Sequence, residues 1–258
     1  MSGTGTCSYF ILEKAKFKNV ADDSENKIIT IDNNNNNDNS NPRKNIYILP
    51  YNNIEYYRNY GLFEKNLIEW SKQFCTIDKN ILDIGAHSGT YALSLAQCCN
   101  LVYAFEPQQM TYYSLCGSVA LSNIQNINCI KYGLGSEEQV GIQTLNIVSD
   151  DGGGSTLHGG SSGDDSDINN TRVLKTENIE IKTLDRFNIT NISFIKMDVE
   201  DNELNVLRGG LKTLKNSNYP KILFESNTFN ETLFNFLKEL KYKIIPINGV
   251  NNMFLASI

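Results

Sequence analysis

The sequence predicts a doubly wound α/β fold whose mostly parallel sheet closes in an antiparallel hairpin. Short apolar runs alternate with helix-like segments from residue 80 onward. The first run, Ile81–Ile84, leads through a glycine-containing loop into a helical pattern near Thr90. The next run, Leu101–Phe105, ends in the acid Glu106. This order of strand, turn, helix and strand is typical of nucleotide-binding sheets.

The remaining elements continue this alternation. Helical patterns are expected at about residues 90–99, 109–121, 203–214 and 231–240. Strand patterns are expected at about residues 127–132, 178–184, 192–198, 221–225, 243–247 and 253–258, with an extra strand at 141–147. The last two strands are expected to form the closing hairpin. The length of 258 residues suits one well-buried domain, expected at residues 76–258, plus an extension.

The N-terminal extension is expected over residues 1–75 and begins with β-prone sequence. Apolar runs lie at Tyr9–Leu12, Ile28–Ile31 and Ile46–Leu49. The asparagine-rich tract before Ile46 offers little apolar surface to bury. It therefore predicts a long polar loop at the tip of a β-hairpin.

A tyrosine-rich stretch and a helical pattern complete the extension. The apolar face of a helix expected at 61–70 consists of Leu62, Phe63, Leu67 and Trp70. Four tyrosines precede it, between residues 51 and 60. They have two interpretations: they either seal the helix onto the sheet or form the roof of a ligand pocket.

A second polar segment interrupts the main domain at about residues 148–172. Its glycine, serine and aspartate content predicts a flexible insertion. A loop of this length inside a compact domain is either disordered or a lid over a binding site. His158 lies within it and is a candidate lid residue.

Composition narrows the class of protein. The formal net charge of −6 argues against a broad nucleic-acid surface, which needs clustered lysine and arginine. No apolar run approaches the roughly 20 residues that cross a bilayer, and the first residues lack the features of a secretory signal. The six cysteines form no C-x-x-C pair, so we expect reduced thiols, no zinc site and a cytoplasmic location.

The loop after the first strand predicts a nucleotide-like ligand. Gly85 and Gly89 lie four residues apart and allow backbone to approach a ligand closely. Glu106 follows Gly85 by 21 residues, where this fold places an acid that accepts hydrogen bonds from a ribose. The same carboxylate would repel a 2′-phosphate. The loop lacks the G-x-G-x-x-G spacing of a dinucleotide site.

Several segments carry a more specific pattern of short motifs. They are Leu82–Ala86, Phe105–Pro107, Gly154–Leu157, a Thr-Leu-Asp segment in Ile181–Phe187, a strand end Lys-Met-Asp-Val-Glu in Ile192–Glu200, and Glu-x-x-Val-Leu-x-Gly in Glu203–Gly210. Over about residues 61–245 the chain resembles the FkbM-type methyltransferases, within the class I S-adenosylmethionine-dependent superfamily. Two positions depart from the family pattern: Asp201 replaces a usual glycine, and His87 a frequent asparagine.

This resemblance implies a Rossmann-like methyltransferase sheet with S-adenosylmethionine bound at the carboxyl ends of its strands. It implies contacts from the glycine loop to the methionine half of the cofactor, from Glu106 to its ribose, and from Gly133 and Leu134 to its adenine. The cofactor-binding residues that we expect are Asp83, Gly85, Ala86, His87, Gly89, Glu106, Gly133, Leu134 and Asp198.

The expected catalytic residues are Lys196, Asp198 and Glu200, which strand alternation places on one side. Asp198 can accept the proton of an acceptor hydroxyl late in the reaction. Two alternatives remain open. Asp198 and Glu200 could hold a divalent ion, although no metal is expected, or Lys196 and Asp198 could form a purely structural ion pair. The histidines His87 and His158 are weaker candidates for a general base.

The function implied by the resemblance is O-methylation of a hydroxyl on a sugar, glycan or small metabolite. A nicotinamide-dependent oxidoreductase would share the fold and the ribose acid. Its loop, however, would have a third glycine, which is missing here. A non-catalytic binding or scaffold protein with this fold is a further alternative. A nucleic-acid methyltransferase fits the negative charge poorly.

Overall fold

The computed structural model describes residues 9–13, 45–157, 173–226 and 230–258, and a seven-stranded sheet lies at its centre. The strands are β3 (Asn80–Ile84), β4 (Val102–Phe105), β5 (Ile127–Ile130), β9 (Ile192–Met197), β10 (Lys221–Glu225), β11 (Lys243–Pro246) and β12 (Met253–Ser257). Their order is β11-β12-β10-β9-β3-β4-β5. Neighbouring strands are parallel except β12, which is antiparallel to both β10 and β11. The predicted mostly parallel sheet and its closing hairpin are confirmed.

Helices cover the sheet on both faces. They are α1 (Ile54–Tyr60), α2 (Lys65–Ser71), α3 (Thr90–Leu95), α4 (Gln109–Leu121), α5 (Glu203–Arg208), α6 (Leu211–Asn216) and α7 (Glu231–Glu239). Two buried clusters result: Phe194 belongs to one, while its neighbours Ile195 and Met197 belong to the other. The alternation predicted along β9 is therefore confirmed, and it leaves Lys196 on the Phe194 side.

A separate three-stranded sheet lies beside the main one. It consists of β6 (Gly133–Leu134), β7 (Gly141–Ile147) and β8 (Lys175–Lys182), in the order β6-β8-β7. The predicted extra strand at 141–147 is confirmed, and it pairs antiparallel with β8. Leu145, Ile147, Ile179 and Ile181 form its own small core.

The extension packs against the helix layer of the main sheet. Strand β1 (Tyr9–Glu13) pairs antiparallel with β2 (Ile46–Pro50). The backbone N–H of Ile48 donates to Ser118 Oγ on α4 at 2.8 Å, and that of Ile46 donates to Ser122 Oγ, directly after α4, at 2.7 Å. Because these bonds satisfy donors on β2, the strand is held along α4. The predicted strand Ile28–Ile31 lies outside the described residues.

The helix predicted at 61–70 is corrected by the structure. It begins only at Lys65, because Glu64 adopts a left-handed conformation with φ 54°. As a result Phe63 is 38% exposed, whereas Leu62 and Leu67 are buried as expected. Helix α1, over the tyrosine-rich stretch, was not predicted.

The helix predicted at 203–214 is also corrected, because it is interrupted at Gly209 and Gly210. A β-carbon at Gly209 would lie 2.0 Å from the carbonyl oxygen of Gly135. The second helix, α6, is capped by Asp185, whose Oδ1 accepts from Thr213 N at 2.8 Å and whose Oδ2 accepts from Lys212 N at 3.1 Å. The Thr-Leu-Asp motif therefore acts as a helix cap.

Within the described ranges, no helix combines the length and the hydrophobicity that crossing a bilayer requires. The cysteines in these ranges are free thiols: Cys75, Cys98, Cys99, Cys116 and Cys129.

Candidate active site

A cavity of about 320 Å³ opens where β3, β4 and β9 end. The expected site residues that line it are Gly85, Ala86, His87, Glu106, Gly133, Leu134, Lys196, Asp198 and Glu200. They come from four separate parts of the chain, which the parallel sheet brings to one edge. Two expected cofactor-binding residues, Asp83 and Gly89, do not line the cavity.

Asp83 instead supports the glycine loop from behind. Its side chain is buried, and Oδ2 accepts a hydrogen bond from the N–H of Ala92 at 2.9 Å. Burial raises the pKa of Asp83 to about 6, although the nearby Lys196 opposes this shift. Gly89 begins α3 in a left-handed conformation with φ 87°. Both residues therefore position the start of α3 relative to β3.

Glu106 is held rigidly at the end of β4. Its Oε2 accepts from the backbone N–H of His87 at 2.8 Å, and its Oε1 accepts from Gln108 N and Thr111 Oγ1, both at 2.9 Å. A carboxylate offers about four lone-pair sites. Three are used by the protein, so about one acceptor site is left for a ligand.

Lys196 links the glycine loop to the end of β9. Its side chain is buried, and Nζ donates to the carbonyl of Gly85 at 3.1 Å and to Asp198 Oδ2 at 3.3 Å. The ring of Tyr91 lies 5.3 Å from the same nitrogen. Burial opposes the charge, but Asp198 and Asp83 together raise the pKa of Lys196, so the ammonium stays protonated.

Three carboxyl groups converge beside this lysine. Oxygen atoms of Asp198, Glu200 and Glu225 lie within 4.8 Å of one another. Burial, followed by the charge of Asp198, raises the pKa of Glu225 to about 8. Burial also disfavours the Asp198 anion, but Lys196 and a hydrogen bond with Glu225 lower its pKa overall. Glu225 is therefore the more readily protonated member of this pair, and its protonated form donates a hydrogen bond to the Asp198 carboxylate.

Glu225 was missing from the predicted site. Phe224 lies beside Met197 in the parallel pairing of β10 with β9, so Glu225 and Asp198 both follow directly at the strand ends. Its position as the last residue of the strand predicted at 221–225 was the sequence signal that could have identified it. Three carboxylates are also suitable oxygen ligands for a hard cation. Here Lys196 already supplies the positive partner of Asp198, and the absence of a metal stays a prediction.

The turn after β9 is strained. Glu200 and Asp201 both have left-handed backbones, with φ 52° and 69°, a region that favours glycine. This left-handed backbone explains why the family usually has glycine at the position of Asp201. The buried Asn202 donates to the carbonyl of Leu134 at 3.0 Å, and Glu203 Oε1 accepts from Val199 N at 3.2 Å. The first bond ties the turn to Leu134 in the cavity wall, and the second closes the turn on itself.

The first part of the predicted flexible insertion forms one wall of the cavity. The carbonyl oxygen of Asp151 lies 2.8 Å from His87 Nε2, and Asp151 Oδ2 accepts from Asn53 Nδ2 at 2.8 Å. Gly154 N donates to Glu200 Oε1 at 3.0 Å. Residues 148–157 therefore contact the cavity, and the flexibility expected of the insertion stays a prediction. Residues 158–172, with the candidate His158, lie outside the described residues.

The extension contributes another wall of the cavity. Asn53, Tyr57, Phe63 and Glu64 line the cavity. The hydroxyl of Tyr91 donates to Glu64 Oε2 at 2.9 Å. Of the four tyrosines considered above, Tyr57 is buried in the wall, whereas the others are exposed. The interpretation as a pocket roof applies to Tyr57 alone.

Solved structures with a similar fold include methyltransferases. The chain matches the FkbM methyltransferase from Methylobacillus flagellatus KT at 16% identity and a TM-score of 0.49, over 70% of this chain and 44% of that one. It thus spans less than half of that protein. It matches SMU.1697c from Streptococcus mutans, solved with SAH, at 14% identity and a TM-score of 0.45, over 74% and 97% of the two chains.

A third match is precorrin-6y C5,15-methyltransferase from Geobacter metallireducens GS-15, at 10% identity and a TM-score of 0.46, over 76% and 87% of the two chains. No curated protein sequence matches the chain significantly. Because all three identities and TM-scores are low, identification depends on the family-level match.

The sequence model described as "Methyltransferase FkbM domain" matches residues 83–244. This range covers more than half of the 258 residues. It includes the glycine loop, Glu106 and the strand end at Asp198, the three features that meet at the cavity. The chain therefore belongs to the FkbM methyltransferase family, as its sequence motifs predicted.

Proposed function

We propose that this protein transfers a methyl group to a hydroxyl oxygen of a sugar, glycan or small metabolite, with Asp198 as the catalytic base. Membership of a methyltransferase family supports this reaction class. The observation that supports the hydroxyl acceptor is the position of Asp198. It lines the cavity as a carboxylate, next to the Gly85 loop and 3.3 Å from the Lys196 ammonium.

S-adenosylmethionine is the cofactor that this membership indicates, and the cavity fits it. Pockets for ligands of this size are typically about 300–1,000 Å³, and this one is about 320 Å³. Glu106 only accepts hydrogen bonds, which suits a ribose hydroxyl. Gly133 and Leu134 offer an apolar wall for a base. When bound, the cofactor supplies a methyl group activated by a positively charged sulfur.

The chain's own contribution is to orient the acceptor and to take its proton. Holding reacting atoms in line is worth roughly 7–11 kcal/mol. Lys196 keeps Asp198 ionised, so this carboxylate is a weak base toward a free alcohol. The Asp198 carboxylate can take the proton late in the reaction, because the hydroxyl becomes more acidic as its oxygen forms the bond to the methyl group. Burial raises the pKa of Glu200, whose bond to Gly154 N holds the wall formed by residues 151–155.

The negative charge of the chain supports a small acceptor over a nucleic acid, because phosphate binding needs cations. The proposal also assigns the reaction to the cytoplasm, a reducing compartment in which free thiols such as Cys75 and Cys99 persist.

The decisive experiment compares wild-type protein with Asp198→Asn. Binding of S-adenosylmethionine is measured by calorimetry, and transfer of a labelled methyl group is measured over a panel of hydroxyl compounds. We expect the variant to bind the cofactor within a few-fold of wild type and to lose about 10²–10⁴-fold in turnover. Unchanged turnover in the variant, or a wild-type protein that does not bind the cofactor, would refute the proposal.

A further inference from the structure

A strip of aromatic side chains leads from the cavity to the protein surface. We define the aromatic strip as Tyr57, Phe63, Tyr56 and Tyr60, in that order. Tyr57 and Phe63 line the cavity, and their ring centroids are 5.0 Å apart. Tyr56 stacks on Phe63 at 4.0 Å, and Tyr60 lies 5.1 Å from Tyr56. The strip is therefore continuous.

The outer part of the strip faces solvent. Tyr56 is 38% exposed, and Tyr60 is 70% exposed. A contiguous exposed apolar patch beside a cavity marks a binding surface more often than scattered exposed residues do. The strip begins inside the cavity that we assign to catalysis, and Asp198 lines the same cavity.

The backbone next to Phe63 is held in a costly conformation that keeps this ring at the rim. Glu64 has φ 54°, a left-handed conformation that non-glycine residues rarely adopt. Its carboxylate is fixed by the hydroxyl of Tyr91. This conformation starts α2 after residue 64 and leaves Phe63 off the buried face of that helix. Strain of this kind concentrates at binding sites.

The charges around the cavity restrict what can lie on the strip. Carboxylates line it from several directions: Glu64, Glu106, Asp151, Asp198 and Glu200. Among the described residues that line it, the sole lysine or arginine is Lys196, which is paired with Asp198. An anionic ligand is therefore repelled, whereas a ligand that donates hydrogen bonds from hydroxyl groups is favoured.

We infer that the aromatic strip is an acceptor subsite for a neutral sugar ring; this inference deepens the proposed hydroxyl methylation and rests on it. A sugar ring offers an apolar C–H face that can lie against an aromatic ring. Its hydroxyl groups lie at the ring edge and can donate hydrogen bonds, which carboxylates accept. Both kinds of partner are present here within one continuous surface, and the adjoining cavity contains the proposed base.

The test uses the protein saturated with SAH and a glycan array that carries neutral and anionic members. Wild-type protein is compared with Tyr60→Ala and with the control Tyr113→Ala, a similarly exposed tyrosine on α4. We expect binding to neutral glycans, with affinity reduced by about 2- to 12-fold in Tyr60→Ala and unchanged in Tyr113→Ala. Tyr56→Ala provides a second variant with the same expectation.

Calorimetry with SAH separates this inference from the proposed function. All three variants are expected to bind SAH like wild type. Normal SAH binding with no bound neutral glycan, preferential binding of anionic glycans, or equal glycan binding by Tyr60→Ala would overturn the sugar subsite alone. Conversion of a dimer to a monomer by Tyr60→Ala, seen by sedimentation, would identify the strip as a contact between copies and also overturn it.

Discussion

Gly85 lies directly against the backbone of Asp198: a β-carbon at residue 85 would be 1.8 Å from the Asp198 carbonyl oxygen. The amide of Asp198 also donates to the carbonyl of Ile84 at 3.0 Å. The glycine loop after β3 and the end of β9 are thus in contact without a side chain between them. Lys196 then bonds both Gly85 and Asp198. Substitutions in this region test whether the two motifs work as one unit.

The first prediction concerns this contact. Gly85→Ala is expected to lower the free energy of unfolding by about 2–4 kcal/mol, because left-handed backbone strain adds to overpacking. It should also abolish measurable cofactor binding. The control is Gly249→Ala, with φ 80° but open space around the added carbon, which should cost about 1 kcal/mol. Equal losses in denaturant unfolding would contradict a steric role for the contact.

The second prediction concerns the acid at the end of β4. Glu106→Gln is expected to weaken S-adenosylmethionine binding by about 10- to 100-fold, because an amide nitrogen cannot accept the bonds that a carboxylate accepts. The control is Glu177→Gln. Glu177 accepts from Gln109 N at 2.8 Å, at the start of α4, but it does not line the cavity. Calorimetry should show a changed dissociation constant only for the Glu106 variant.

The third prediction concerns the family glycine that is replaced here. Asp201→Gly is expected to stabilise the protein by about 0.5–1 kcal/mol, because glycine adopts a left-handed conformation without a β-carbon penalty. Asp150 is equally an exposed aspartate, but it lies outside the left-handed region. Asp150→Gly removes the same charge and should not stabilise. A thermal shift in the same direction for both variants would argue for a charge effect instead.

The fourth prediction separates stability from function. Asp185→Ala is expected to lower stability by about 1–2 kcal/mol, because three donors at the start of α6 lose their acceptor. Cofactor affinity should stay at the wild-type value, since Asp185 does not line the cavity. Asp78→Ala, an exposed aspartate, is the control for denaturant unfolding. A large loss of affinity in Asp185→Ala would assign this motif to the binding site.

The fifth prediction concerns pH. The pKa of Glu225 rises from 4.5 to about 8 on folding, so between these values the native state binds more protons than the unfolded state. Stability therefore falls as pH rises through this window. Glu225→Gln keeps a hydrogen-bond donor toward Asp198 and removes the titration.

We expect wild type to lose about 1–2 kcal/mol more than Glu225→Gln between pH 5 and pH 9. This is well below the full linkage value, because solvent partly screens the carboxyl. Denaturant unfolding at several pH values measures it. Lys196, Asp198 and Glu200, which surround Glu225, remain in both proteins, as does the pKa shift of Glu203 to about 7. Parallel stability curves for the two proteins would show that Glu225 is ionised in the native state.

The order of elements and the cofactor edge followed from the sequence alone, because they depend on local patterns. Apolar runs identified β3, β4 and β9, and the ends of these strands indicated Gly85, Glu106 and Asp198 as candidate site residues. In an open α/β sheet these strand ends must lie at one edge. The predicted helix boundaries were wrong where contacts with other segments set the boundary, as at Glu64 and at Gly209.

Only the tertiary structure showed what surrounds these residues. Asn202 contacts Leu134, and Asp151 contacts His87, although each pair is far apart in the sequence. Phe63 likewise lines a cavity formed mainly by distant parts of the chain. Such contacts depend on how distant segments pack, and no local periodicity encodes that. The same is true of the raised pKa of Glu225: its main cause is burial, which exists only once the strands lie side by side.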